Sequence, residues 1–564
     1  MIIYDALDDF GTFTQGNVKS LGNLGLVAAA FDEFGLEDLI NKAIGKEGSH
    51  VKADTGVIVK ALVMQMLNVP WQTLSGTEEY FRERPLSALT QQKLEPKDLN
   101  RAVLGRCLDD IADFGGENLY LNCAKQVIDS LNIKVTEAHI DSTSFHYDGE
   151  SYKQADSPIE LNLGYSRDHR PELKQAITLM LADGQSRIPF YSKNVSGNVN
   201  DNRSFNDLIL FAWSSIKEQF QALDYLVGDS SLCTADNFNS AKANNMHLVT
   251  RLPDKTKVAK DIFANNKIED MTPVFEDDEE SPLGKWCGTT TIGDETVHLL
   301  LVANPKLKTK KAATVTGHAE KELADVTAKI KKLSTKPCKC KADALKCITE
   351  IMDKCKLVTI SNIQYEEIIK NVTRGRPKAG VTPETKVNAV KVTATVSIDE
   401  AKVAQKIEEE ILYIIATNDL NRKWTMAVLL SIYKRQSVIE RCWRCCKNPK
   451  FFVDAIYLNK PSRIDALLWL MSLALLVYAG IEYKVRKTMA DNGLTIPSPD
   501  QRTQQEKPTL MRLFQYIANQ NVQITLASGN TTISYFSETL QNLLRAMGKR
   551  WVMYFNSNYY KMFS

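Results

Sequence analysis

Residues Ala466 to Ile481 read ALLWLMSLALLVYAGI, sixteen residues without a charge, and so apolar a run leaves a chain few ways to fold. It must either cross a membrane or be surrounded by enough protein to keep water off every side. A spanning helix needs roughly 20 such residues. This run is shorter, contains Ser472 and Gly480, and is flanked by Arg463, Asp465, Glu482 and Lys484. The expectation is a helix buried in a core, with no membrane partner. A chain of 564 residues is long enough to build such a core and to divide into several domains.

Hydrophobic residues at 44% and charged residues at 24% exclude a largely disordered or fibrous chain. The net charge is only +2, so any nucleic-acid surface must come from local clusters of Lys and Arg. One cluster is evident: Lys306 to Lys346 holds 12 Lys against 4 acids, a local charge of +8. Such a stretch is either a solvated helix or a surface for a phosphate backbone. Eleven cysteines, an odd number, and an amino terminus (MIIYDALDDF) without a basic then apolar leader point to a reducing cytoplasm.

Patterning divides the chain into five stretches. Residues 1–130 read as a helical domain: a helix over Val57–Leu67 is capped near Asp54 or Thr55, and another starts at Asn100 with Val103, Leu104, Cys107, Leu108 and Ile111 on one face. The segment is a plain helical bundle or a DNA-end-binding domain. Residues 131–264 alternate strands and helices, with strands in IKVTEAHIDSTSFHY, in two runs joined by a turn at Asp183–Gly184, at Tyr225–Val227 and at 247–252. This is a mixed α/β core. Residues 265–410 interrupt it as an insertion, 411–490 resume it from the strand ILYIIATN, and 491–564 form a polar linker and a tail.

Three acids stand out. Asp141 lies within a strand, on the same face as His139 and Thr143 by period-two alternation. Asp229 ends the short strand YLVGD, and open α/β sheets place ligand groups at the carboxyl ends of their strands. Glu440 sits in SIYKRQSVIERCWRCCK, where Tyr433, Gln436, Glu440 and Lys447 are spaced by three, four and seven. On one α-helix these intervals give a polar stripe beside an apolar side of Val438, Ile439, Cys442 and Cys446. Separately, each acid also fits a bland role: a turn or helix cap, or a surface helix with internal ion pairs. Together they match a chemistry in which carboxylates hold two Mg²⁺ ions that stabilise the attacking and leaving oxygens of a phosphodiester.

These residues carry a resemblance. The chain is similar to bacterial insertion-sequence DDE transposases of the group marked by Tyr, two residues, Arg, three residues, Glu, six residues, Lys. Tyr433, Glu440 and Lys447 match, and Gln436 stands at the Arg position. HIDSTSFHYDGE, GYSRDHRPELKQ, SGNVND, YLVGDSS and the segment from Lys447 to Glu482 also resemble that family, as does LGNLGLVAAAFDEFGLEDLINKAIG near the amino terminus. The resemblance implies a ribonuclease-H-like catalytic core with a large insertion before the third acid. It implies catalysis and metal binding by Asp141, Asp229 and Glu440, with Mg²⁺ as cofactor and Mn²⁺ able to substitute. It further implies DNA contacts from Tyr433, Gln436 and Lys447. Double-stranded DNA, as terminal inverted repeats and target, would be the partner, handled by a homodimer at the nucleoid in a bacterial cytoplasm. A metal-dependent nuclease that cuts without joining, or a DNA-binding relic without catalysis, are the rival readings.

Smaller features have two readings each. Arg374 and Arg376, in RGRPK, resemble a minor-groove hook or form an ordinary basic loop. Cys338, Cys340, Cys347 and Cys355 lack the paired spacing of structural zinc sites and read as reduced thiols. Asp168, His169 and Arg170 form a polar trio in which Arg170 is a DNA contact, and Asn198 and Asp201 shape a loop near the cleft.

Overall fold

The computed structural model describes residues 17–45, 52–68, 73–147, 157–167, 169–276, 278, 280–372, 382, 384–447, 458, 460–498, 502–526 and 531–563. Helices dominate the first of these stretches. Helix α1 (Leu24–Glu33) is buried along nearly its whole length. Asn100 caps the helix Arg101–Phe114 by accepting from the backbone N–H groups of Ala102 and Val103. That helix buries Leu104, Cys107, Leu108 and Ile111, the face its periodicity predicts.

The tail does not stand apart from this helical region. Strand Asn17–Ser20 pairs antiparallel with Gln523–Leu526. Trp551 Nε1 donates to Glu33 (2.7 Å), Arg550 donates to the Asp32 carbonyl (2.6 Å), and the ring of Phe555 packs against Gly25, where any side chain would collide with it. The two ends of the chain therefore share one core.

At the centre is a nine-stranded sheet. In chain order its strands are β1 (Glu137–Tyr147), β2 (Lys174–Asp183), β3 (Pro189–Ser196), β4 (Tyr225–Gly228), β5 (His247–Leu252), β6 (Thr272–Pro273), β7 (Leu283–Ile292), β8 (Glu295–Ala303) and β9 (Leu412–Thr417). Their spatial order is β3-β2-β1-β4-β5-β9-β8-β7-β6. The pairs β1·β4 and β4·β5 are parallel, and the others are antiparallel. Helix α2 (Asp201–Phe211) follows β3, with Asn200 as its cap.

The expected insertion is thus two different things. Its first part, through Ala303, extends the central sheet, because the apolar face of β8 (Val297, Leu299, Leu301) must be covered like that of its neighbours. Its second part builds its own core. Helix α3 (Lys308–Thr335), the helix Lys341–Met352 and a hairpin of Val358–Asn371 with Thr385–Ile398 bury Val326, Ile330, Ala344, Ile348, Val358 and Val390 among themselves.

After β9 come helices α4 (Met426–Lys434), α5 (Ser437–Cys446) and α6 (Pro461–Asn492). Helix α6 contains the uncharged apolar run Ala466 to Ile481. By length and composition it could cross a membrane, yet 83% of its most apolar window is buried inside the protein. Two of its buried polar groups are answered: Ser472 accepts from Ser192 of β3 (2.9 Å), and the Asp465 carboxylate accepts from Asn194 (2.9 Å). Pro461 occupies its first turn, and Gly493, at φ +62°, ends it in the left-handed conformation.

Candidate active site

The strand register brings the first two acids together. Between parallel β1 and β4, Glu137 pairs with Tyr225, Ala138 with Leu226 and His139 with Val227. Carried two residues on, past the end of β4, the same offset brings Asp141 level with Asp229, near enough for the Asp229 charge to act on the Asp141 carboxyl. The strands can approach closely here because Gly228 has no side chain: a Cβ there would lie 2.9 Å from Ile140 Cγ2 and 3.0 Å from Leu232. Asp229 is exposed at the strand end, and its Oδ1 accepts from the Ser231 N–H (2.9 Å), which fixes the turn that follows.

Asp141 is half-buried and accepts from the Ser142 N–H at 2.8 Å. Burial raises its carboxyl to a pKa of about 7. The Ser142 N–H and Arg167 oppose the rise, and the negative charges of Asp229 and Asp201 add to it. A cluster that sequence reading largely missed surrounds this position. Arg167 Nη2 donates to both oxygens of Asp201 (2.6 and 2.5 Å) and to Ser142 Oγ (2.7 Å), and Ser142 Oγ donates to Asp201 in turn. Asp201 was legible only as a loop-shaping residue, and Arg167 only as a neighbour of the trio at 168–170.

Glu440 reaches the site on α5. Met180 and Ala182 stand opposite Asp141 and His139 in the β1·β2 register, and pack with Val438, Ile439, Cys442 and Trp443. Helix α5 therefore lies over the sheet face that carries Asp141. Glu440 itself is exposed in its first turn.

The single helical stripe of Tyr433, Gln436, Glu440 and Lys447 is corrected by the structure. The helix breaks at Arg435–Gln436, where Gln436 N bonds to Tyr433 O (3.0 Å), Val438 N to Arg435 O (2.8 Å) and Ile439 N to Gln436 O (3.2 Å). These are three-residue steps that tighten the turn and shift its phase. The cause lies in the two side chains, which both reach back to β1. Arg435 makes a two-pronged ion pair with Glu137 (Nη2 to Oε2, 2.8 Å). Gln436 Nε2 donates to the Ile140 carbonyl (2.7 Å), and its Oε1 lies 3.0 Å from His139 Nδ1. Tyr433 is left on α4, stacked near Tyr413 at 6.1 Å. Burial pushes its phenol up to about 12, with Arg251 opposing and Asp229 and Glu440 contributing. Lys447 lies just past the end of α5, half-buried.

Among the remaining sequence candidates, Arg170 is exposed and pairs with Glu172 (2.5 Å), next to His169 at φ +58°. Arg374, Arg376 and Asp168 lie outside the described residues. Cys338 and Cys347 are hydrogen-bonding neighbours, while Cys340 caps the helix Lys341–Met352.

Among the described residues no three His, Cys, Asp or Glu side chains converge tightly enough to enclose a metal on their own. The donor set nevertheless fits a hard divalent cation that keeps waters and takes substrate oxygens. The donors are carboxylates, and the neighbouring negative charges that raise the Asp141 pKa are a condition that a cation relieves.

A family described as a domain of unknown function (DUF4277) matches residues 16–125, and the transposase DDE domain family matches residues 127–477. No curated protein matches. Among solved structures, a piggyBac transposase synaptic complex with hairpin DNA is 10% identical, with 86% of this chain and 79% of that chain covered and a TM-score of 0.35. The match at 127–477 spans well over half of the sequence and contains Asp141, Asp229 and Glu440. The chain belongs to the transposase DDE domain family and is a DDE transposase.

Proposed function

We propose that this chain is an insertion-sequence transposase that binds the terminal inverted repeats of its element, cleaves at the ends and joins the freed 3′-hydroxyls to target DNA. The observation that carries the reading is the register of β1 and β4, which sets Asp141 beside Asp229 beneath the helix that bears Glu440. On this reading β3-β2-β1-β4-β5 is a ribonuclease-H-like core, with 265–410 inserted before the third acid.

Asp141, Asp229 and Glu440 hold Mg²⁺, replaceable by Mn²⁺, which supplies charge neutralisation at the attacking and leaving oxygens of the phosphodiester. The protein's own part is positioning. The Ser142 N–H orients the Asp141 carboxylate, and Arg167 holds Asp201 so that its charge is shared. Tyr433, whose phenol feels the charges of Asp229 and Glu440, contacts the terminal nucleotides, and Lys447 and Arg170 contact the backbone. Gln436, read from sequence as a DNA contact, acts instead through Ile140 and His139. Arg374 and Arg376 add basic contacts from the insertion. Two ends must be brought together, so the working unit is a homodimer in the bacterial cytoplasm.

Supercoiled donor DNA carrying the element ends, incubated with purified protein and Mg²⁺, tests the reading. End cleavage followed by joining of precleaved ends is expected. Cleavage unaffected by a combined Asp141→Ala, Asp229→Ala, Glu440→Ala variant would overturn it.

A further inference from the structure

Helix α5 presents more than Glu440 to solvent. Val438, Ile439, Cys442 and Trp443 are buried, which leaves Glu440, Arg441 and Arg444 as an exposed strip. Arg441 and Arg444 open into a groove of about 710 Å³ between α5, the turn that joins β2 to β3, α6 and the segment around Leu510. Its cationic lining is Arg187, Arg441, Arg444, Arg486, Lys487 and Lys507.

The only acid lining the groove, among the described residues, is Glu482. It is already satisfied, with one oxygen on Arg486 (2.7 Å) and the other on the Leu510 N–H (2.8 Å). Arg187, Arg441, Arg444, Lys487 and Lys507 form no ion pair among the described residues. Such crowding is unfavourable in an isolated protein, and burial and the neighbouring Arg441 and Arg486 charges pull the Arg187 guanidinium below its ordinary range. The turn bearing Arg187 is also specially held. Arg187 adopts φ +67°, a conformation that favours glycine, while the Asp183 carboxylate accepts from Ser186 N (2.6 Å) and Oγ (2.7 Å). Unpaired like charges converging in a concave site call for a polyanion.

We infer that this groove binds the phosphate backbone of double-stranded DNA, receiving the stretch of duplex that runs on from the strand held at Glu440. The inference rests on the transposase reading, because continuity with Glu440 selects DNA as the polyanion. None of these six residues is among those that the family resemblance singles out.

The test is fluorescence anisotropy of a fluorescein-labelled, random-sequence duplex with the full chain in excess chelator, over a range of salt concentrations. An Arg441→Ala, Arg444→Ala, Lys487→Ala variant is expected to bind about tenfold or more weakly, with a salt slope shallower by about 2 to 3. The replaced side chains are exposed, so an unchanged melting temperature is expected. Arg441→Lys with Arg444→Lys keeps the charge and should keep the slope. As a charge-matched control, Lys260→Ala, Lys267→Ala, Lys423→Ala removes three exposed cations that lie outside both the groove and the Lys306–Lys346 cluster. Wild-type affinity and slope in the groove variant, or an equal loss in the control, would overturn the groove. Neither outcome touches the transposase reading, since cleavage is not read in chelator. Absence of salt-dependent binding by the wild type would overturn both.

Discussion

The side-chain amide of Gln436 is bonded to the carbonyl of Ile140, the residue immediately before Asp141. Because Nε2 donates there, Oε1 is left to accept from His139 Nδ1. An arginine there, which only donates, could keep the bond to Ile140 but could bond His139 only in the tautomer whose Nδ1 accepts. The departure from the family's Tyr-Arg-Glu-Lys pattern is thus accompanied by a local network, in which the adjacent Arg435 takes Glu137. This network ties the break before α5, and through it Glu440, to the strand that carries Asp141.

Replacing Gln436 should therefore impair catalysis through position. Gln436→Ala leaves the Ile140 carbonyl and His139 without these partners and should cost about 1–3 kcal/mol in stability. End-cleavage turnover should fall with little change in DNA affinity. Gln436→Glu keeps the acceptor for His139 but loses the donor to Ile140, and should be similarly slow. Denaturant melts and single-turnover cleavage rates measure both.

Gly228→Ala should be worse for activity than for folding. The added methyl meets Ile140 and Leu232 at 2.9–3.1 Å, a close approach that costs about 1–3 kcal/mol when packing must shift. The shift occurs one residue before Asp229. Cleavage should drop by more than the loss in stability accounts for.

Much of this arrangement was legible in the sequence. The strand around Asp141 is rich in β-branched and aromatic residues, and the strands at 225–227, 247–252 and 411–418 are short apolar runs. The apolar run at 466–481 announced a core helix because nothing else could bury it. The break at Arg435–Gln436 was not legible, since helical spacing continues through it and only the side-chain bonds to Glu137, His139 and Ile140 reveal the change of phase. The joining of the two chain ends was hidden for a similar reason: Asn17–Ser20 and Gln523–Leu526 are four-residue strands whose partners lie some five hundred residues away in sequence. The groove beside α5 gathers cations from 187, 441–444, 486–487 and 507, none of them a notable cluster on its own.

The Glu137–Arg435 pair should give stability a distinct acid limb. Burial alone would raise the Glu137 carboxyl, but the hydrogen bonds and charges of His139 and Arg435 bring it below its ordinary value of 4.5. A carboxyl lowered in the folded state contributes stability above its unfolded value, and that contribution is lost as pH falls through the lower folded value. Wild-type melting temperature should thus decline below about pH 4.5, and Glu137→Gln should be less stable at pH 7 with a flatter decline. Scanning calorimetry across pH 3 to 7 measures the two curves.

Metal should stabilise the folded chain without DNA. A ligand that binds only the folded state adds about 2.7 kcal/mol at a hundredfold excess over its dissociation constant. Mg²⁺ should raise the melting temperature of the wild type, and Asp141→Asn should remove most of that rise. An equal rise in the variant would place the cation elsewhere.

The most direct measurement is the Mg²⁺-dependent rate of cleavage at the element ends for three single variants, Asp141→Asn, Asp229→Asn and Glu440→Gln, with folding and DNA binding checked in parallel. The account predicts that each lowers the rate by about 10³-fold or more while end binding persists. Any one of the three cleaving within a few-fold of wild type would contradict the claim that these acids form one catalytic centre.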